Sequence, residues 1–291
     1  MSYITIKNAY LKAVINTLGA EIQSVENLSD HFQYIWNDKE KKYWPRHAPI
    51  LFPFIGRSNE NTYLLGGNKY SMAQHGFLRD QKFSEEYKEA SSVTLRSDSN
   101  TTTLVNYPFY YTFKITYRLY KNQLKIKYEI ENRNNKIMYY SLGFHPGFNI
   151  ESNLSDYSLK FNPDSTNLEE LLINPAPFRN GEIDKIPLNQ SRLFLSYPML
   201  DNGLIILNTK QEKSVVLTNS RMEHEIIEDI SDFPYLAIWS PEKKNAPFVC
   251  IEPFKGLPDK YGKPIELKRK AAENQIAIHG KDLVRLQLSF N

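Results

Sequence analysis

The chain has 291 residues, of which 36 are basic and 33 acidic, so its net charge is only +3. This balance, without a concentrated basic stripe, argues against a nucleic-acid partner. A single cysteine, Cys250, excludes an internal disulfide framework and a zinc site of several cysteines, and its apolar surroundings predict a small core residue. The sequence shows no signal peptide and no membrane-spanning stretch, so we expect a soluble, cytoplasmic protein without a membrane partner.

The residue mix, with 19 Tyr and 16 Phe, favours strands over helices. Ile4–Ile6 and Leu11–Ile15 predict a first hairpin, and Leu18–Val25 predicts a further alternating strand. Tyr63–Tyr70 predicts a second hairpin around a Gly-Gly-Asn turn. Apolar and polar residues alternate most regularly between Ser91 and Arg133, which predicts a long antiparallel hairpin with one buried face.

The second half of the chain is less regular. Asn149 to Arg192 is polar with little periodicity, and we predict excursions between strands there. Leu204–Leu207 and Ser214–Thr218 predict another hairpin, and Tyr235–Trp239 and Val284–Phe290 predict later strands. No pattern predicts a helix longer than about three turns, and no shift in composition marks a linker. We therefore predict one all-β domain over residues 1–291, a large antiparallel sandwich.

Two irregular segments carry candidate binding residues. His47–Arg57 is apolar but contains two prolines and a glycine, which prevents a regular central strand. Its last residue, Arg57, would present a fixed fork of donors from a rigid loop, unless it is an ordinary surface arginine. In the second segment His75 precedes a glycine that lets backbone or ligand approach closely, and Arg79 follows four residues later.

His145 and Glu252 are the candidates for chemistry. His145 interrupts an apolar and aromatic run, and Glu252 follows the strand-like Pro247–Ile251. A histidine and a carboxylate at strand ends suit proton transfer to and from a small neutral ligand, although a lone buried histidine is more often a core residue. A metal site would need closely spaced ligands, a serine triad a Gly-x-Ser-x-Gly motif, and a glycosidase a second carboxylate, and the sequence presents none of these patterns.

Five motifs, taken in order, resemble the aldose 1-epimerase (galactose mutarotase) family, and most of all its compact bacterial LacX-type branch. They run from near the N-terminus to beyond residue 250, so the resemblance covers nearly the whole chain. The fold that it implies is a β-supersandwich. The motifs are Gly19-Ala-Glu-Ile-Gln-Ser24, Pro53-Phe-Ile-Gly-Arg57, His75-Gly-Phe77, Gly143-Phe-His-Pro-Gly-Phe148 and Ile251-Glu-Pro-Phe254.

The resemblance also implies a mechanism. Glu252 would be the base toward the anomeric hydroxyl, and His145 would be the acid toward the ring oxygen. His75 and Arg57 would bind the sugar, and Asp201 aligns loosely with the family's substrate-binding aspartate. The ring opens, rotates about C1–C2 and closes on the other face, so that only protons move and no cofactor is needed.

Two features depart from the best-known members of that family. Gly147 stands where an aromatic residue is usual, and His75-Gly-Phe-Leu-Arg79 is similar to a pattern of hexose-6-phosphate 1-epimerases. Arg79 could hold a phosphate bidentately, so the substrate is a free aldohexose, which we favour, or its 6-phosphate. A non-catalytic sugar-binding protein on the same fold and a purely structural sandwich are the alternatives. We expect a monomer or a homodimer.

The same roles carry an electrostatic expectation. If His145 enters the reaction as imidazolium, its pKa must lie above the usual value of about 6.5, and Glu252 could raise it by favouring the charged ring. Activity would then fall at low pH as Glu252 becomes protonated, and at high pH as His145 loses its proton.

Overall fold

The structure, a computed structural model, describes residues 2–38, 40 and 42–291. In this part of the chain the helices are α1 (Thr101–Asn106) and α2 (Tyr197–Leu200), and no helix is long and apolar enough to cross a membrane. The strands in chain order are β1 (Tyr3–Lys7), β2 (Leu11–Asn16), β3 (Ile22–Asn27), β4 (Ile50–Leu51), β5 (Thr62–Leu65), β6 (Asn68–Ser71), β7 (Ser84–Glu89), β8 (Ser92–Asp98), β9 (Tyr111–Tyr120), β10 (Gln123–Asn132), β11 (Met138–Tyr140), β12 (Leu142–Phe144), β13 (Gly147–Asn149), β14 (Tyr157–Asn162), β15 (Asn167–Ile173), β16 (Arg179–Pro187), β17 (Arg192–Phe194), β18 (Ile205–Asn208), β19 (Ser214–Asn219), β20 (Ile226–Asp229), β21 (Tyr235–Trp239), β22 (Phe248–Lys255), β23 (Asn274–Ile276) and β24 (Lys281–Phe290).

Two large antiparallel sheets make up most of the protein. One has nine strands in the order β17-β14-β19-β20-β24-β10-β9-β8-β7. The other has eight, seven of them in the order β16-β15-β18-β21-β22-β12-β4, with β13 also paired to β22. The main hydrophobic cluster takes side chains from both sheets, for example Phe113 of β9 and Ile251 of β22. The predicted all-β sandwich is therefore confirmed.

The regular alternation of the first half predicted its pairing correctly. β1 pairs with β2, β5 pairs with β6 across the Gly-Gly-Asn turn, and β9 pairs with β10 over ten residues. Alternate residues of β9 and β10 are buried or reach solvent, as expected for strands with one face on the core. Local sequence sets these hairpins because each turn joins neighbouring strands.

The predicted hairpin of Leu204–Leu207 with Ser214–Thr218 is wrong. β18 pairs with β15 and β21 in the eight-stranded sheet, whereas β19 pairs with β14 and β20 in the nine-stranded sheet. The connection between them crosses from one sheet to the other. Two strands that lie in opposite sheets and two strands that are hydrogen-bonded in one sheet both direct alternate apolar residues into the core. Periodicity alone therefore does not distinguish these two arrangements.

The prediction of mere excursions between Asn149 and Arg192 is also wrong, because β14, β15 and β16 lie there. β16 is the edge strand of the eight-stranded sheet and has no buried residue, and β15 beside it buries only Leu168 and Leu171. A strand that is exposed on both faces needs few apolar side chains, so its sequence carries little period-two signal.

A buried charged cluster lies beneath the loop that follows β22. The Lys270 ammonium is paired with the Asp259 carboxylate, lies 3.4 Å from Ser58 Oγ and lies 4.6 Å from the centre of the Phe54 ring. The charged run Lys268–Lys270 by itself predicts a solvated loop, but this prediction is wrong for Lys270, which is only 6% exposed. The side chain turns inward because Asp259 supplies a partner that the local sequence does not reveal.

Glu273, beside this cluster, predicts a pH-dependent stability. Its Oε2 accepts a hydrogen bond of 3.0 Å from Ser141 Oγ, and burial raises the pKa of the carboxyl group to about 8. The unfolded chain titrates near about 4.3, so the folded state is stabilised at low pH and loses that stability as the pH rises from about 4.3 to 8. Glu273→Gln keeps the acceptor for Ser141 and removes this titration.

We expect Glu273→Gln to gain stability relative to the parent protein as the pH increases. The difference should reach a few kcal/mol above about pH 8, at about 1.4 kcal/mol for each pKa unit. Denaturant unfolding of both proteins at several pH values measures this difference directly. A difference that stays constant from about pH 5 to about pH 9 would contradict the raised pKa.

Candidate active site

The pairing of β22 places His145 opposite Glu252. β22 pairs along one edge with two short strands, β12 and β13, which are separated by two unpaired residues. Both pairings share one register. When this register is continued through the residues between the two strands, His145 lies directly across from Glu252. Residues opposite each other in an antiparallel pair point to the same face with Cβ atoms about 5 Å apart. The flanking pairs are Gly143↔Phe254 and Gly147↔Cys250.

Two prolines occupy this interruption. Pro146 and Pro253 have no N–H group to give to the ladder, so they suit the place where pairing stops. His145 follows the end of β12, and its N–H donates to the Pro49 carbonyl over 3.0 Å. Glu252 lies inside β22, between Ile251 and Pro253, and so is not at a strand end as predicted.

His145 and Glu252 line a cavity of about 350 Å³, a volume typical of sites for small molecules. Both are buried, with 8% and 2% of their surface exposed. His145 Nδ1 lies 3.4 Å from Glu252 Oε1, is shielded from solvent and has no hydrogen-bond partner. The other ring nitrogen, Nε2, is therefore the one left for the cavity. Other lining residues are Trp44, Gln74, His75, Arg79, Leu204, Trp239, Glu242, Phe254 and Pro258.

Burial makes both members of this pair neutral. It lowers the pKa of His145 to about 3, with a further contribution from the positive charge of Arg79. It raises the pKa of Glu252 well above its usual value. The expectation that Glu252 raises the pKa of His145 is therefore wrong, because loss of hydration outweighs the attraction to a carboxylate that is itself protonated. Burial therefore favours the neutral form of the pair, with a proton on the carboxyl group of Glu252.

Backbone hydrogen bonds hold His75 beside His145, with the two ring centroids 5.6 Å apart. The His75 N–H donates to the Gly56 carbonyl over 2.7 Å, and the Gly56 N–H donates back to Nδ1 over 3.1 Å. Burial keeps the pKa of the ring well below its usual value, so the imidazole is neutral and its proton sits on Nε2. Gly76 adopts a φ of +71° against the Phe52 carbonyl, where a Cβ would overlap it. Gly76 therefore allows the backbone of this turn to approach the backbone of Phe52 closely.

The cavity brings together four of the six predicted site residues. Arg79 lines it, but its Nη2 donates to the Gln74 carbonyl over 2.8 Å. Arg57 is exposed, and its Nη2 lies 3.3 Å from Gln74 Oε1. The carboxylate of Asp201 accepts the Lys243 N–H over 2.8 Å and is not part of the lining. A role for Arg57 or Asp201 in sugar binding thus stays a prediction.

Comparison with known proteins shows which family the chain belongs to. The family model "Aldose 1-epimerase" matches residues 2–270. Protein LacX of Lactococcus lactis subsp. lactis is 30% identical over 273 residues, which cover 87% of this chain and 88% of the relative. The chain belongs to the aldose 1-epimerase family.

Solved structures of other family-like proteins have the same fold. A galactose mutarotase-like protein from Lactobacillus casei ATCC 334 is 41% identical, with a TM-score of 0.96 and full coverage of both chains. A galactose mutarotase related enzyme from Lactobacillus acidophilus is 28% identical, with a TM-score of 0.93 and coverage of 100% of this chain and 97% of the other. The predicted resemblance is confirmed.

Glu21, in the first of the five family motifs, supports the site without lining the cavity. Glu21 is 5% exposed, and its Oε1 accepts N–H groups from His47 over 2.8 Å and from Ala48 over 3.2 Å. These bonds fix the start of the segment whose Pro49 carbonyl holds His145. Glu21 therefore positions the backbone around the catalytic candidates without lining the cavity.

Two tryptophans in the lining were not predicted. The Trp44 ring is stacked on His145 with centroids 4.8 Å apart, and the Trp239 ring meets His145 edge-on at 5.8 Å. Gly147 makes room for this wall, because a Cβ there would lie 3.1 Å from Trp36 Cβ and 3.4 Å from the Trp44 ring. Trp44, which is far from position 147 in the sequence, thus supplies the aromatic surface that Gly147 lacks. No motif in the sequence marked Trp44.

Proposed function

We propose that the protein is an active aldose 1-epimerase that interconverts the α and β anomers of a free aldohexose. The observation that carries this proposal is the buried pair of His145 Nδ1 and Glu252 Oε1, 3.4 Å apart at the wall of a sugar-sized cavity. Anomer exchange needs one group that gives a proton to the ring oxygen while another takes a proton from the C1 hydroxyl. A neutral pair, with one proton on the carboxyl group of Glu252 and one on the ring of His145, meets that requirement.

The proton moves through both residues in one relay. Glu252 passes its proton from Oε1 to His145 Nδ1, and His145 Nε2 gives its proton to the ring oxygen O5. The other carboxyl oxygen, Oε2, takes the proton of the C1 hydroxyl. The C1–O5 bond breaks, the O1 lone pair forms the C1 carbonyl, and the pair ends neutral, with the carboxyl proton now on Glu252 Oε2 and the ring proton of His145 now on Nδ1.

This relay needs no imidazolium, so it agrees with the lowered pKa of His145. After rotation about C1–C2 the same steps run backwards on the other face of the aldehyde. The separation of 3.4 Å is long for a hydrogen bond, but such contacts often tighten once substrate fills an active site. A positioned acid and base contribute about 10²–10⁴-fold each.

The remaining lining suits a sugar. His75 Nε2–H is a neutral donor for a ring or hydroxyl oxygen, because Nδ1 already accepts from the backbone. Trp44 and Trp239 offer flat apolar surfaces to the C–H faces of a pyranose, as in many pockets lined by aromatic residues. Polar groups for the hydroxyls come from Gln74 and from Glu242, which accepts the Trp239 indole N–H over 3.0 Å.

The charges around the opening favour a free sugar over its 6-phosphate. Among the described residues that line the cavity, Arg79 is the one cation; its Nη2 already donates to the Gln74 carbonyl, and its Nε lies 3.9 Å from the Asp80 carboxylate. Glu242 adds a carboxylate to the same lining and would repel a phosphate. Within this part of the chain, a dianionic group would thus meet a cation that already has partners and an opposing carboxylate.

Polarimetry tests the proposed function. Freshly dissolved α-D-glucose and α-D-galactose should reach equilibrium rotation faster with the protein than in buffer alone, in proportion to the enzyme concentration. The protein after heat denaturation is the control for catalysis by buffer. Sugar binding without any gain in rate would overturn the proposal in favour of a sugar-binding protein.

Arg79→Ala separates the two substrate classes. We expect the ratio of kcat/KM between free glucose and glucose 6-phosphate to stay unchanged within about threefold, because Arg79 is engaged with the protein. If Arg79 held a phosphate, removing a charge-assisted bond of about 1.5–3 kcal/mol would weaken the phosphorylated sugar about 10-fold or more. Arg57→Ala, at the exposed arginine beside the same Gln74, is measured in parallel, because a role for Arg57 in sugar binding also stays a prediction. Selective loss of the phosphorylated substrate in Arg79→Ala alone would reverse our choice.

A further inference from the structure

Three potential metal ligands converge behind the cavity wall. One donor atom each of His145, Cys250 and Glu252 lie within 4.8 Å of one another, and all three residues are buried. His145 Nδ1 has no hydrogen-bond partner although it is shielded from solvent, so one strong ligand atom is free. The sequence did not predict this cluster, because His145 lies far from the other two along the chain.

The strand pairing that forms the catalytic pair also forms the cluster. Cys250 and Glu252 are two residues apart in β22 and therefore point to the same face. Cys250 is paired with Gly147, which has no side chain to separate the thiol from the neighbouring His145 ring. The three side chains thus face one small volume. The strand pairing fixes this arrangement, so it does not depend on the rotamers of flexible side chains.

We propose that His145, Cys250 and Glu252 form a binding site for a thiophilic divalent cation such as Zn²⁺. The ion would lie between His145 Nδ1, Cys250 Sγ and a Glu252 oxygen. That is where the relay of the proposed epimerase passes its proton, so a bound ion blocks proton transfer. The metal site itself stands on the ligand geometry, and only its inhibitory effect rests on the proposed function.

The donor set decides which ions fit. A nitrogen, a thiolate sulfur and a carboxylate oxygen suit Zn²⁺ or Co²⁺, whereas Mg²⁺ and Ca²⁺ prefer oxygen ligands alone. Burial raises the pKa of the Cys250 thiol and of the Glu252 carboxyl group, so each releases a proton to solvent when the ion binds. Bonds of about 2.0–2.3 Å in a tetrahedral site place ligand atoms about 3.5 Å apart, so the cluster needs to contract by about 1 Å. Cys250 is fully covered, whereas His145 and Glu252 line the cavity, so the ion enters from the cavity side and leaves its fourth position for water.

Cobalt binding gives a readout independent of activity. Cys250 is the only cysteine in the sequence, so a thiolate-to-cobalt charge-transfer absorption in the near ultraviolet can come from no other residue. We expect Co²⁺ added to the protein, prepared without a histidine tag, to produce this band with a stoichiometry of one. Zn²⁺ should displace the cobalt and abolish the band, and Mg²⁺ should not. Absence of the band at saturating Co²⁺ would overturn the proposed site.

Cys250→Ser is the deciding variant, with Cys250→Ala as a second in case the hydroxyl disturbs folding. Loss of even an outer-shell partner weakens metal sites by about 10–100-fold, so loss of the thiolate should weaken Zn²⁺ binding at least about 10-fold. Calorimetric titration of Zn²⁺ into each folded variant measures this change. Equal affinity in the parent protein and both variants would show that zinc binds elsewhere and would overturn the proposal.

The inhibitory effect has its own test. Zn²⁺ should lower kcat for mutarotation, a chelator should restore it, and each Cys250 variant should need at least about 10-fold more Zn²⁺ than the parent, relative to its own metal-free rate. Cobalt binding without inhibition would support the metal site but would contradict the proposal that the ion occupies the position through which the relay passes its proton. Absence of mutarotase activity with the cobalt band present would reject the proposed function while leaving the metal site supported.

Discussion

Glu252→Gln is expected to lower kcat for mutarotation by at least about 100-fold while the protein stays folded. The amide has the shape of the carboxyl group but can neither release a proton to His145 Nδ1 nor take one from the C1 hydroxyl. Because burial raises the pKa of Glu252 and favours its protonated form, the amide resembles that neutral form in charge as well as in shape. Sugar binding should persist, since the cavity keeps its shape.

The measurement is the rate of mutarotation by polarimetry, with sugar binding followed by calorimetry. Glu212→Gln is the matched control, because Glu212 is another buried glutamate, whose Oε1 accepts a hydrogen bond of 2.7 Å from Ser165 Oγ outside the cavity lining. We expect it to keep the activity of the parent protein. An activity of Glu252→Gln within about fivefold of the parent would exclude Glu252 from the relay.

The second large effect is on the pH profile, where kcat/KM should fall on the alkaline side. The relay needs a proton on Glu252 and a neutral His145. Burial raises the pKa of Glu252 and so moves the loss of its proton to higher pH, and the pKa of His145 near 3 keeps the ring neutral. The rate should therefore stay level from about pH 7 down to about pH 5, and should fall tenfold per pH unit once Glu252 loses its proton.

This is the reverse of the profile expected for an imidazolium and a carboxylate, whose activity falls on the acid side as Glu252 becomes protonated. kcat/KM is measured in the presence of a chelator, and the rate in buffer alone is subtracted at each pH. The parent protein and Glu242→Gln, at an exposed carboxylate of the same cavity, should give the same alkaline limb. An acid limb centred between about pH 4 and about pH 6 would contradict the neutral pair.

The sequence alone determined those parts of the fold that depend on neighbouring residues. The hairpins β1–β2, β5–β6 and β9–β10 followed from alternation and turn residues, because local pairing needs no knowledge of the rest of the chain. The ordered motifs likewise identified the family and named His145 and Glu252 as candidates. A strand that is exposed on both faces, such as β16, does not alternate between apolar and polar residues, so the sequence did not predict it.

The tertiary structure decided how the candidates meet and which protonation states they have. Only the pairing of β22 with β12 and β13 sets His145 opposite Glu252, with Cys250 on the same face. Sequence spacing cannot supply this register, because it joins segments far apart in the chain. Burial, which lowers the pKa of His145 and raises that of Glu252, is a property of all the layers packed around the pair. A sequence names the titratable residues, but the folded protein sets their hydration and hence their chemistry.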